Sequence, residues 1–157
     1  MNKGLIAAFV GVIAAAALVA GCGSSSDEET TALTKTQFIA QADAICKKGN
    51  AEIESEVEAF AKKNGIEENE EPSKAQQAEV SETILAPNIE SQSEDIRALE
   101  APSGDEDEVS AMLDALDEGV EEVEANPQAP FESNQPNPFG QANKLAKEFG
   151  LKVCGQE

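Results

Sequence analysis

Apolar positions along this chain recur at steps of three and four residues, the spacing of one helix face, and no stretch alternates as a half-buried strand would. The first stripe runs Phe38, Ala42, Ile45, Gly49, Ile53, Val57 and Phe60, with Ile39, Cys46 and Ala61 beside it. Thr34 followed by Gln37 has the form of a capping box, so the helix starts there. Lys62 and Lys63 suit its last turn, where the helix dipole favours cations. Asn64-Gly65 supplies a left-handed stop. After an acidic loop over 66–72, Ser73 and Gln76 repeat the capping-box form. They open a second helix with a stripe of Ala78, Leu85, Ile89, Ile96 and Leu99, flanked by Val80 and Ile84. Pro87 falls inside this helix. Proline there removes a hydrogen bond and crowds the preceding turn, so a kink or short break is expected near Ala86. The helix should stop before Pro102.

Ser103-Gly104 reads as a turn. Asp105-Glu106-Asp107-Glu108 then opens a third helix with its acids at the favourable end of the dipole. Val109, Met112, Leu113, Leu116, Val120 and Val123 give it a clean apolar face. Residues 126–138 hold four of the seven prolines and form an irregular connection. Phe131 lies in the middle of it. Burial statistics for Phe favour a ring tucked against the core, the alternative being an exposed hook for a partner. Asn137 can cap a short last helix whose inward face is Phe139, Ala142, Leu145, Ala146 and Phe149. Gly150 ends it, and residues 151–155 run back towards Cys46.

Residues 1–21 follow a different rule. Lys3 gives a short basic start, and Leu5 to Ala20 is a continuous apolar run, the layout of a secretory signal peptide. A membrane span is the competing reading, but it needs about 20 apolar residues. This run is shorter, and Gly23 to Ser26 follow it instead of a basic stop-transfer cluster. Val19-Ala20-Gly21-Cys22 resembles the lipobox of bacterial lipoproteins. The resemblance implies cleavage before Cys22 and a diacylglyceryl thioether on its sulfur. One acyl chain holds only marginally and two hold stably, so lipidation at Cys22 would anchor the protein on the extracytoplasmic face of the cell membrane. Residues 22–33, rich in Gly, Ser, Thr and acids, read as a flexible tether with a typical reach of roughly 17–20 Å. Residues 34–157 form the helical domain.

Composition narrows the function. The chain carries 31 acidic and 11 basic residues, a formal charge of −20. That balance argues against nucleic acid, whose binders show basic patches, and against lying flat on an anionic bilayer. It favours solubility through self-repulsion. There is no His, Tyr or Trp. Without His, the group that most often titrates near neutrality, most acyl-transfer and many metal mechanisms are excluded. Three cysteines less the lipidated Cys22 leave Cys46 and Cys154. An even pair in an exported protein points to a disulfide, with two free buried thiols as the alternative. Together these readings give an all-α fold: an irregular four-helix up-down bundle with a proline-kinked second helix and one disulfide.

Three segments carry a resemblance. They are Phe38 to Cys46, then Ile96-Arg97-Ala98-Leu99 with Ala101-Pro102, and the tail Phe149 to Gly155. In these the chain resembles uncharacterised small lipoproteins of actinobacteria. The resemblance implies a helical domain with paired cysteines. It carries no activity, substrate or cofactor.

Three classes of function can be weighed. Between Arg97 and Lys144 there is no basic residue, and residues 98–143 contain twelve acids. In the third helix Asp114/Glu118 and Asp117/Glu121 are like-charge pairs one turn apart, mutually destabilising by roughly 0.2–0.5 kcal/mol each. Such a face could gather divalent cations or a basic protein partner. Calcium, however, prefers six to eight oxygens in a shaped loop, and no EF-hand spacing occurs. A solvated, salt-screened surface is the simpler explanation. A carboxylate-based hydrolase would need two acids facing one cleft, and no catalytic residue can be assigned. Helical bundles often build ligand sites between their helices. The expected role is therefore a non-enzymatic envelope binding or interaction module without cofactor, whose partner is the membrane through its lipid and whose ligand is small or a protein.

Overall fold

The structure, a computed structural model, describes residues 32–67 and 69–156. The signal peptide expected over 1–21, the lipidation expected at Cys22, and all but the end of the tether expected over 22–33 lie outside the described residues. α1 covers Lys35–Asn64. It begins with the full capping box: Thr34 accepts from the Gln37 N–H, and the Gln37 side chain accepts from the Thr34 N–H at 3.0 Å. Leu33, one residue ahead of the cap, packs against the core that also contains Phe38, the two positions of a hydrophobic staple. Gly65 closes the helix in the left-handed region at φ 67°.

The second helical rod is α2 (Lys74–Val80), a single π-turn (Ser81–Leu85) and α3 (Ala86–Arg97), continuous in the chain. Ser73 and Gln76 form the expected capping box. The kink takes the form of a widened turn in which the Ala86 N–H donates to the Ser81 carbonyl. Pro87 offers no N–H, and in a straight helix its ring would press on the turn before it; the π-turn gives it room. One extra residue in a turn also rotates everything downstream by roughly 100°. The buried face is Val80, Ser81 and Ile84, and beyond the widened turn Ala86, Gln92, Ser93 and Ile96. Ala78, Leu85, Ile89 and Leu99, expected to lead the stripe, are half-buried.

α4 (Glu106–Ala125) buries Val109, Met112, Leu113, Val120 and Val123 as its periodicity requires. α5 (Gly140–Phe149) starts later than Asn137 suggested. The Asn137 Oδ1 accepts from the Phe139 N–H at 2.9 Å, so it closes the turn ahead of the helix. Gly119 of α4 lies under that turn. A Cβ there would sit 2.6 Å from the Phe139 ring and 2.9 Å from the Pro138 carbonyl oxygen. Phe131 does not tuck against the core and is 41% exposed. The short 3-10 turn Ala129–Phe131 buries Ala129 instead. Pro130 fixes the backbone there, and this turn leaves the ring facing outwards.

Contacts at the two ends fix the topology. At one end Lys35, opening α1, reaches Asp105 before α4 at 3.1 Å. There Phe38 also meets Phe149, closing α5, edge to face at 5.7 Å. At the other end the Gln128 side chain, beyond α4, donates to the Lys74 carbonyl at 2.7 Å. α1 and α4 therefore run one way, and the α2–α3 rod and α5 the other. This is a four-helix up-down bundle, irregular because α1, at 30 residues, is about 45 Å long and outruns its neighbours. A disulfide joins Cys46 to Cys154 across 108 residues with Cα atoms 5.2 Å apart. Among the described residues no helix is long and apolar enough to cross a membrane.

Candidate binding site

The tail that carries Cys154 is positioned by one side chain. The Asp43 carboxylate, on α1, accepts backbone N–H groups from Lys152 at 3.0 Å, Val153 at 2.8 Å and Cys154 at 3.3 Å. Asp43 lies three residues before Cys46, on the same side of the helix. It therefore holds the tail where the two sulfurs can meet. Gly155 then rests directly on α5, where a Cβ would stand 2.8 Å from Lys147 Cγ and 3.1 Å from the Lys147 nitrogen.

Held this way, the tail forms one wall of a cavity of about 230 Å³ at the junction of the helices. α1 contributes Cys46, Asn50 and Ile53, and α3 contributes Ile89, Gln92 and Ile96. Met112, Leu113 and Leu116 come from α4, and Phe139, Ala142 and Asn143 from α5 and the turn before it. The disulfide itself, with Val153 and Gln156, closes the remaining side. In a chain of formal charge −20, not one of the seventeen described residues that line it is ionisable. The walls are aliphatic, aromatic and sulfur. Their polar groups are the carboxamides of Asn50, Gln92, Asn137, Asn143 and Gln156.

The carboxamides are in different states. Asn137 has its oxygen engaged by the Phe139 N–H. Gln92 is buried and donates to Asn88 Oδ1 at 2.7 Å. It also covers Gly49, the α1 glycine that lets α3 approach: a Cβ there would fall 2.3 Å from the Gln92 carboxamide carbon. Asn143 is 8% exposed, and its carboxamide makes no hydrogen bond within the described residues.

The acids lie elsewhere. Arg97 on α3 pairs with Asp117 at 2.5 Å and Asp114 at 3.7 Å on α4, and buried Ser93 donates to Asp117 at 2.7 Å. Part of the acid-only zone is thus tied down within the fold. Among the described residues no group of three or more His, Cys, Asp or Glu side chains is placed to hold a metal ion. At the Pro87 kink there is an open dent lined by Glu82, Glu90 and Glu124. Phe131 lines neither this dent nor the cavity. Lys35 has its pKa raised above the ordinary 10.5 by the hydrogen bond to Asp105, with the nearby charges of Asp105 and Glu108 adding to it against partial desolvation.

The sequence reading picked out Cys46 and Cys154, which the structure joins. It missed Asn143, Gln92 and Asp43. A positional signal existed for two of them. Asn143 falls four residues after Phe139 and three before Ala146, and Gln92 four before Ile96, so both sit on the buried stripe. No protein-family model, no curated protein and no solved structure matches this chain. Among the described residues the chain is an all-α body tied by one disulfide.

Proposed function

We propose that the protein is a lipid-anchored extracytoplasmic lipoprotein, of the small helical kind resembled by its motifs, and that it works as a non-enzymatic binding module. The observation that carries the binding half is the uncharged cavity of about 230 Å³ at the helix junction. Apolar walls with a few polar groups are the usual character of a small-molecule site. An engineered apolar cavity of about 150 Å³ already admits benzene. Among the described residues the lining supplies no acid, base or free thiol, so it favours holding a molecule over transforming one. The anchor half rests on the Leu5–Ala20 run and Val19-Ala20-Gly21-Cys22. Divalent-cation binding draws no support from the placement of the carboxylates.

Each half has its own test. Cells fed radiolabelled palmitate should label the wild-type protein and not Cys22→Ala, and the variant should leave the membrane fraction. Equal labelling of both would remove the anchor. For the cavity, the full chain in lipid nanodiscs carries a built-in reporter, since Met112 lines the cavity and the chain has only two methionines. Toluene should shift the ¹³C-methyl resonance of Met112 saturably, and Leu116→Trp, which fills the space, should abolish the shift. A Met112 resonance indifferent to toluene would end the reading.

A further inference from the structure

We infer that the ligand is an uncharged molecule with an apolar body and one neutral hydrogen-bonding group, and that Asn143 is the residue that selects it. The inference rests on the binding-module reading and adds the ligand class and the specificity determinant.

Asn143 sits on the inward face of α5, lines the cavity, and is 92% buried by its 8% exposure. A carboxamide has two donors and an acceptor of two lone pairs. Within the described residues this one satisfies none of them. Its nitrogen and oxygen are not sealed off, since among the described residues Ser81 Oγ is the buried side-chain atom left without a partner; they reach accessible space. A carboxamide that lines a largely apolar cavity and makes no side-chain bond among the described residues is the arrangement a specificity group needs. It stays unpaired with the wrong molecule and is satisfied by the right one.

Charge decides the rest of the class. Among the described residues no cation lines the cavity to meet an acid, and no carboxylate lines it to meet an amine. A bare charge entering such a site leaves water and finds no counter-charge, which is strongly unfavourable. The protein's own field repels anions further. A hydroxyl, carbonyl or amide has no such penalty, and an amide can both donate to and accept from the Asn143 carboxamide. The Gln92 oxygen, unused by its bond to Asn88, supplies a further acceptor in the same cavity.

The test uses four ligands with one ring and different ends: toluene, benzamide, benzoate and benzylammonium. Each is titrated into the full chain in nanodiscs, with empty nanodiscs subtracted and the Met112 methyl as reporter. Benzamide should bind at least as tightly as toluene, and the two ions at least tenfold more weakly than benzamide. Asn143→Leu should weaken benzamide about tenfold and leave toluene as tight or tighter. Should the leucine variant lose the native Met112 resonance, Asn143→Ala carries the same comparison. Benzoate or benzylammonium binding as well as benzamide would overturn the neutral class. Unchanged benzamide binding in both variants would overturn the role of Asn143 while leaving the cavity reading intact. If toluene itself leaves Met112 unmoved, the cavity reading falls and this inference with it.

Discussion

At the scale of single residues, two side chains show how context decides worth. Asp43 is a surface-type residue, yet its carboxylate gathers three backbone N–H groups of the tail. Hydrogen bonds to a charged acceptor contribute about 1.5–3 kcal/mol where they are shielded; those from Val153 and Cys154 are part-buried and that from Lys152 is exposed. Asp43→Ala should lower the unfolding free energy by about 2 kcal/mol in urea titration. It should also slow re-formation of the disulfide after reduction, because Cys154 is no longer delivered to Cys46. A loss confined to a few tenths of a kcal/mol would mean the disulfide alone positions the tail. Ser81 is the opposite case. Its hydroxyl is 0% exposed and has no partner among the described residues. Ser81→Ala removes an unsatisfied buried group and should raise stability by about 1 kcal/mol. A drop would show that the hydroxyl bonds something in solution, a water or the neighbouring backbone.

At the scale of elements, the joints carry the information. α1 and α4 meet through Lys35, which bonds Asp105 and lies 4.0 Å over the Phe149 ring. Its pKa is raised in the folded protein. The stabilisation is therefore fully present below the ordinary lysine value of 10.5 and is lost as pH rises through the higher folded value. Urea midpoints should fall between about pH 9 and about pH 12 in the wild-type protein and fall less in Lys35→Met. Equal slopes would mean that other groups govern alkaline unfolding. Where α4 meets the turn before α5, Gly119 has no room for a methyl group against backbone. Overpacking of that kind costs about 1–3 kcal/mol. Gly119→Ala should lower the thermal midpoint, and because Phe139 lines the cavity it should also weaken toluene binding.

At the scale of the whole molecule, the disulfide and the charge act in opposite directions. Thirty-one acids against eleven bases push the folded chain apart. A crosslink spanning 108 residues restrains the unfolded chain by about 4–5 kcal/mol in the chain-entropy model. For a body this small that is a large share of the total, since domains are stable by only about 5–15 kcal/mol. The double variant Cys46→Ser, Cys154→Ser should lose most of that amount and should recover part of it in molar salt, where repulsion is screened. Insensitivity to both changes would show that the helical core alone holds the protein. The same crosslink is also a wall of the cavity. Stability and the candidate binding site therefore share one covalent bond.

The sequence by itself determined the elements: helix starts at Thr34 and Ser73, stops at Gly65 and Gly150, the apolar face of α4, and the two cysteines that pair. These are set by neighbours within a turn or two, or by counting, and both are written in one dimension. The π-turn was half legible, because Pro87 announces a disturbance but not the rotation that buries Gln92 and Ser93. Only the tertiary structure decided the outward turn of Phe131, the reach of Asp43 to residues 152–154, and the meeting of Asn143 with apolar walls from four other segments. Each of these depends on which groups face each other across a hundred residues of chain. Periodicity assigns a residue to a face, but burial without a partner becomes visible only when every neighbour of that face is in place.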